Sequence, residues 1–507
     1  MKVNQLKAGA LLSYMFLGLG SVISIIYTPI MLRLLGQSEY GLYNLVASVV
    51  GYLGLLNFGF GNAYVKFFAS YRVNNDEAGL AKLNGMFMII FSVIGVIAVA
   101  AGLLLVVFTE NILGSELTSS ELSVAKTLMG IMVINIAITF PGIVFQSHIS
   151  ANEKFVFKKT LQIIKVVTSP FLILPILMMG YGAIGMALVT TALNLGIEIA
   201  SAWFCLKKLK MRFSFKEFDR VLMRRMAAFS SFIFINLIVN QINWNVDRFI
   251  LGRFHGTIAV ATYSLAAQLN TYYLSLSTAM AAIFIPRVNK MVSTNNNNEE
   301  LTQLFTRLGR IQFLLLAMIG TGLIFFGKPF IHMWAGEDYA PSYLIALILI
   351  IPVTIPLIQN LGIEIQRAKN KHRFRSWLYL FIAIANVGIS IPLSKHYEGV
   401  GAAAGTALSL IVGNILIMNW YYHKRIGLNM FYFWKHIARM IPALFLPVAA
   451  GFFLSKNFNL FNLETFIATA LVFALVYLTS AWFTAMNSYE KHLITKPFNR
   501  IRKKIFH

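Results

Sequence analysis

One cysteine, Cys205, occurs among 507 residues, which rules out a disulfide framework and any cysteine-based metal site. It reads as a small apolar residue near a helix end. Acidic side chains are scarce too. Nineteen Asp and Glu stand against 43 Lys and Arg, and charged residues make up 12% of the chain, about half the share in a soluble domain. The nine His are scattered, with no metal-spaced pair inside one expected helix. A polymerase, ligase or transferase needs clustered acids, bases or a metal, and that clustering is missing. A Gly-rich phosphate loop ending in Lys-Ser/Thr is also missing, which argues against ATP-driven transport by this chain alone. No cofactor is expected. Long polar segments are lacking as well, so no region outside the apolar runs could bury a sizeable core.

What the chain has in abundance is hydrophobic length, with 58% hydrophobic residues and a mean hydropathy of +0.70. A bilayer core about 30 Å thick needs roughly 20 mostly apolar residues per helix, and a helix satisfies its own backbone in lipid. Fourteen such runs are expected, at 8–35, 39–70, 84–109, 123–149, 157–179, 181–206, 226–252, 257–286, 303–327, 341–366, 376–394, 398–422, 434–455 and 463–487. The class is therefore an all-α polytopic membrane protein. The first run lacks a small-residue cleavage site and is expected to remain as the first helix. The outer loops are expected to be short, the longest at 110–122 and 328–340, and the Asn295–Asn298 run reads as a polar linker.

A net charge of +24 invites a nucleic-acid reading, which the charge distribution opposes. With Met1 inside and sides alternating, the basic clusters at Lys207–Arg225, Arg367–Arg375 and Arg500–Lys504 all fall in cytoplasmic segments. That satisfies the positive-inside rule, with anionic lipid headgroups as a secondary partner. Both termini are expected in the cytoplasm.

The two halves of the chain repeat. Arg33-Leu-Leu-Gly36 with Tyr43 matches Arg253-Phe-His-Gly256 with Tyr263 at an offset of 220. Ala151-Asn-Glu-Lys154 matches Ala368-Lys-Asn-Lys371 at 217, and Thr191–Leu195 matches Thr406–Leu410 at 215. Two six-helix repeats of the same orientation follow, in residues 1–225 and 226–425. Helices 13 and 14 and a basic tail are added over 426–507. Parallel repeats in transporters enclose a site that alternates between sides of the membrane.

Polar residues line faces of otherwise apolar helices. Asn44, Ser48, Tyr52, Gly59, Asn62 and Lys66 share one face of helix 2, provided the helix is continuous. Asn236, Asn240, Asn243 and Asp247 share a face of helix 7. Gln268 lies on a Ser/Thr stripe of helix 8, and helix 10 carries Asn360, Glu364 and Arg367. Such groups can serve as interhelical glue at about 0.6 kcal/mol each. Matching stripes in both repeats favour a water-filled cavity, where amides offer both donors and acceptors to sugar hydroxyls. Charges within spans cost about 2.5–3.5 kcal/mol each on insertion scales. Lys66, on the stripe, and Lys165 are candidate binders of a substrate anion. Arg33 and Arg253, near helix ends, can instead snorkel to the interface, and Glu364 can simply neutralise Arg367.

The run Gly36-Gln-Ser-Glu-Tyr-Gly-Leu-Tyr43, then Leu56-Asn-Phe-Gly-Phe-Gly-Asn62, resembles the start of the polysaccharide-biosynthesis flippase family. These are the Wzx-type transporters of the multidrug/oligosaccharidyl-lipid/polysaccharide exporter superfamily. Asn245-Val-Asp-Arg-Phe-Ile-Leu-Gly252 resembles the second-half signature. The resemblance implies a V-shaped pair of lobes around a cationic cavity. It also implies transport of an undecaprenyl-pyrophosphate-linked oligosaccharide to the outer leaflet of a bacterial plasma (inner) membrane. Partners would be that lipid-linked substrate, membrane lipids, and a polymerase or glycosyltransferases of the same pathway. Coupling to Na⁺ or H⁺ is compatible but not required. The alternative is a cation-coupled drug antiporter of the same fold. Drug extruders of this superfamily usually carry an acid in helix 1, and here helix 1 has none.

Overall fold

The computed structural model describes residues 5–114, 116–216, 219–294, 297–371, 373–493 and 495–496, and every element among them is a helix. Asn295, part of the expected polar linker, and the basic tail Arg500–Lys504 lie outside the described residues. Asn297 and Asn298 belong to a helix start, where the Asn297 side chain accepts from the Glu299 amide at 2.9 Å; Asn is a favoured N-cap.

In chain order the helices begin with α1 (Gln5–Leu35), α2 (Gln37–Val50), α3 (Phe60–Val73), α4 (Glu77–Val107) and the short α5 (Thr109–Leu113). Then come α6 (Ser119–Ala151), α7 (Phe155–Met178), α8 (Gly182–Trp203) and α9 (Arg220–Ala282). They continue with α10 (Ile285–Thr294), α11 (Asn298–Ala335), α12 (Ser342–Ile358), α13 (Leu361–Ala368) and α14 (Arg373–Leu410). The last are α15 (Met418–Tyr421), α16 (Met430–Ala438), α17 (Phe445–Asn457) and α18 (Leu463–Ser480). Two corrections to the sequence reading follow. The segment 328–340, expected as a loop, remains helical through Ala335, and helix 2 is interrupted between α2 and α3.

Among the described residues ten helices are long and apolar enough to cross a membrane, or twelve if each bent pair counts once. The long α9 and α14 each contain one non-helical residue, Gly256 (φ 74°) and Glu398 (φ 51°). Fourteen crossings are reached only by dividing both helices there, and those two residues coincide with expected boundaries.

The duplication is visible in the backbone. Left-handed residues recur in pairs: Gly36 with Gly256, Gly114 with Gly336, Glu153 with Asn370, Gly182 with Glu398, and Lys210 with Gly427. Local bonding recurs with them. The Lys154 amide donates to the Ile149 carbonyl and the Lys371 amide to the Gln366 carbonyl, while Met211 donates to Cys205 as Leu428 does to Tyr422. Each pair marks the same helix end, where a left-handed residue lets terminal carbonyls find donors.

The chain forms two compact units, residues 1–264 with 379–402, and residues 265–378 with 403–507. In the first, α4 packs on α6, α6 on α8, and α1 on α7. Its core is built by Phe60, Tyr64, Phe68, Phe87, Phe91 and Phe140. A buried polar triad crosses that core: the Tyr64 hydroxyl donates to Asn84 Oδ1 at 2.6 Å and lies 2.7 Å from His148 Nδ1. The Asn84 amide in turn holds the Arg212 carbonyl at 2.8 Å, pinning part of the basic linker against α4. In the second unit α11 packs on α12 and α16, and α17 on α18. There the buried Arg310 guanidinium grips Glu490 at 2.6 and 2.8 Å and also donates to the His436 and Ala485 carbonyls.

Candidate substrate-binding site

Helix 2 breaks where three glycines, Gly51, Gly54 and Gly59, fall within nine residues. Gly51–Asn57 wind as a 3-10 helix, and Phe58 and Gly59 are both left-handed before α3 resumes. The Asn57 carboxamide steadies the turn by accepting from the Gly59 amide at 2.7 Å. Irregular backbone at membrane depth is tolerated only where it is buried in protein or lines a wet cavity.

Here it lines a cavity. A space of about 280 Å³ is bounded by Gly51, Gly54 and Leu55 on one side and by Leu237, Asn240, Gln241, Trp244 and Asn245 of α9 on the other. A Cβ on Gly51 would lie 2.8 Å from Gln241 Nε2, whereas one on Gly54 would meet nothing within 4 Å. The Gln241 Nε2 group has no hydrogen-bond partner among the described residues, a condition that native proteins seldom leave without a ligand, ion or water. An indole face flanked by three carboxamides offers an apolar platform with donors and acceptors around it.

The expected site residues distribute unevenly. Asn240 lines the cavity. Asn236 and Asn243 are half-buried on the same helix, outside the lining. Asp247 is buried, 1% exposed, and accepts from the Tyr263 hydroxyl at 2.5 Å, while its neighbour Arg248 donates to Asn245 at 3.1 Å. The continuous helix-2 stripe does not form, because the 3-10 segment divides it. Asn44 bonds back to the Tyr40 carbonyl at 2.8 Å and Ser48 to Leu45 at 2.7 Å, whereas Asn62 and Lys66 are exposed on α3. The Lys66 ammonium sits 4.1 Å over the Phe229 ring and 5.9 Å from Phe67, a cation–π arrangement that keeps the charge accessible.

Lys165 enters a separate network. It donates to Asn194 Oδ1 at 2.5 Å, Asn194 donates to Asn135 at 3.1 Å, and Asn135 to Thr191 at 3.1 Å. Glu198, one turn along α8, faces both Lys165 and Lys158. Gly142 makes room for it, since a Cβ there would lie 2.2 Å from Glu198 Oε2. Sequence reasoning did not single out Asn135 and Asn194; lone amides in apolar helices were the available signal.

Arg33 is exposed at the end of α1. Arg253 reaches sideways to the Asn111 carbonyl at 3.0 Å, so it tethers the short helix α5. In the second unit Glu364 pairs with Arg367 at 2.8 Å, and Gln268 donates to the Tyr272 hydroxyl at 2.6 Å.

The motif that carries the family resemblance is structural. Glu39 accepts from the Ala183 amide at 2.7 Å at the start of α8. Ser38 and Thr257 both donate to Glu121 Oε1, at 2.6 and 2.8 Å. A Cβ on Gly41 would collide with the Thr257 carbonyl at 1.8 Å, so glycine permits that close approach.

Comparisons with known proteins agree on the class. The family described as "Polysaccharide biosynthesis protein" matches residues 6–292. A Shigella flexneri protein named "Putative O-antigen transporter" is 21% identical over 405 residues, covering 77% of this chain and 91% of its own. Among solved structures, an inward closed form of the lipid II flippase MurJ superposes with a TM-score of 0.73 at 16% identity, covering 93% of this chain and 97% of that one. An inward-facing multidrug transporter of the MATE family gives 0.63 at 13% identity, covering 80% and 94%. The fold is MurJ- and MATE-like, and the apolar helices among the described residues make the chain a multi-pass membrane protein.

Proposed function

Because this chain belongs to the polysaccharide biosynthesis protein family, we propose that it flips an undecaprenyl-pyrophosphate-linked oligosaccharide across the bacterial plasma membrane, from cytoplasmic to outer leaflet, by alternating access. The observation that carries this reading is the polar cavity opened by the break in helix 2. Trp244 can stack against sugar rings while Asn240, Gln241 and Asn245 exchange hydrogen bonds with hydroxyls. Lys66, on the helix that leaves the break, supplies charge-assisted attraction for the pyrophosphate, and Lys165 is a second candidate cation. The two sequence repeats, 1–225 and 226–425, act as the moving lobes, with 426–507 alongside the lipid tail. In this reading the chain crosses the membrane fourteen times and, with its basic clusters on the inner side, keeps both termini in the cytoplasm. An inside-negative potential favours outward movement of the anion by about 4.6 kcal/mol for two charges across 100 mV, so Na⁺ or H⁺ coupling is not required.

The test is complementation of a deletion strain with a Lys66→Ala variant. Surface polysaccharide is expected to fall and lipid-linked oligosaccharide to accumulate, at unchanged protein level and with unchanged drug sensitivity. Unaltered surface polysaccharide contradicts the reading. Altered drug sensitivity instead supports the antiporter alternative.

A further inference from the structure

A second cavity, of about 530 Å³, lies in the other unit where the end of α13 meets the end of the helix after α15. Lys369, Lys371, Lys424 and Arg425 line it together with Asn298 and Gly427, and no carboxylate is among its described lining residues. We propose that this pocket binds a phosphoryl group, either of an anionic lipid headgroup or of a free diphosphate.

Four cations around one cavity repel each other unless an anion joins them. Part of the arrangement has a structural cause. Lys369 donates to the Ile426 carbonyl at 3.1 Å and to Asn298 at 2.5 Å, and Lys371 donates to the Arg425 carbonyl at 2.6 Å. Lysines at helix C-termini commonly satisfy such carbonyls. The other half has no such cause, since the Lys424 and Arg425 side chains are exposed and make no ion pair or hydrogen bond among the described residues. Burial first, and Lys371 second, push the Lys369 ammonium below its ordinary value, a penalty that a bound anion would relieve.

The internal repeat supplies an independent comparison. At the offset of 217, Lys369, Asn370 and Gly427 replace Asn152, Glu153 and Lys210 of the first half, while Lys424 and Arg425 match Lys207 and Lys208. The backbone is the same in both halves at these turns. The second half has exchanged a carboxylate for an amide and has a lysine inside, Lys369, in place of the rim lysine Lys210, so four cations remain while the acid is gone. Gly427 admits Asn298, whose amide nitrogen would lie 2.4 Å from a Cβ there. One repeat of the same scaffold therefore holds these cations without the acid.

Binding is measured on the purified full-length chain, so the outcome does not depend on transport. In phosphatidylcholine nanodiscs, inorganic pyrophosphate is titrated and the thermal midpoint followed. In a second arm, phosphatidylglycerol replaces part of the lipid without added pyrophosphate. A stabilising shift in either arm supports the pocket, and the responding arm identifies the source. Two lost charge-assisted contacts predict at least about tenfold weaker binding, about 1.4 kcal/mol, in Lys424→Gln/Arg425→Gln. The charge reversal Lys424→Glu, at an exposed position, should abolish the shift. No shift in either arm, or an unchanged shift in both variants, overturns the proposal. A shift lost in Lys66→Gln but kept in the pocket variants overturns it while supporting the cavity by helix 2.

Discussion

Glu398 occupies, in the second half of the chain, the turn that Gly182 occupies in the first, and both have φ 51°. At Glu398 ψ is −133°, a region that only glycine enters without strain of about 1–3 kcal/mol. Glu398→Gly is therefore expected to raise stability by about 1 kcal/mol, after the entropy that glycine loses on folding. Glu398→Ala should bring no gain. Thermal unfolding of the purified protein in detergent checks both, and a gain in the alanine variant would mean that the side chain, not the backbone, is at fault.

Arg310 and Glu490 are 7% and 4% exposed and bonded at 2.6 Å. Removing one partner of a buried pair leaves an uncompensated charge and costs about 3–5 kcal/mol. Arg310→Ala and Glu490→Ala should each lower the thermal midpoint sharply, whereas replacing both by Met and Leu should cost less than either. A loss in the double variant equal to the sum of the two single losses would show that the pair is not coupled.

Gly142 and Glu198 compete for one space. Gly142→Ala should destabilise the natural chain by about 1–3 kcal/mol through overpacking. In a Glu198→Ala background the same change should stabilise by up to about 1 kcal/mol, because alanine is the better helix former. Thermal midpoints of the four proteins of this double-mutant cycle decide it; a sign that does not reverse contradicts the contact.

Gly54 faces open space, so a bulky side chain there should fill the cavity rather than unfold the protein. Gly54→Trp is expected to cut polysaccharide export at least about tenfold while membrane insertion is unchanged. A folded variant with full export would remove the cavity from the transport route.

Much of the fold was legible because lipid imposes a simple pattern. Long apolar runs had to be helices, and the motif repeat at Gly36 and Gly256 located helix ends that the backbone later marked with left-handed residues. The helix-2 stripe misled because helical spacing assumes an unbroken helix. Gly51, Gly54 and Gly59 were the warning, since glycine-interrupted hydrophobic segments point to discontinuous helices. The triad of Tyr64, Asn84 and His148 was not legible, because its members lie on three helices and only packing brings them together. Asp247 was legible as a member of the helix-7 polar face, but its burial and its partner Tyr263 were not. The roles of Arg253 and Lys165 depended on tertiary neighbours, Asn111 and Asn194, that no local pattern announces.

The most direct measurement is thiol blocking of an Asn240→Cys variant in cells. Its background is silent, since Cys205 is the natural chain's single cysteine and is fully buried. A water-borne methanethiosulfonate reagent is expected to label Cys introduced at 240 and to halt polysaccharide export, leaving the natural chain unaffected. Labelling without loss of export, or failure to label at all in an exporting variant, would contradict transport through this cavity.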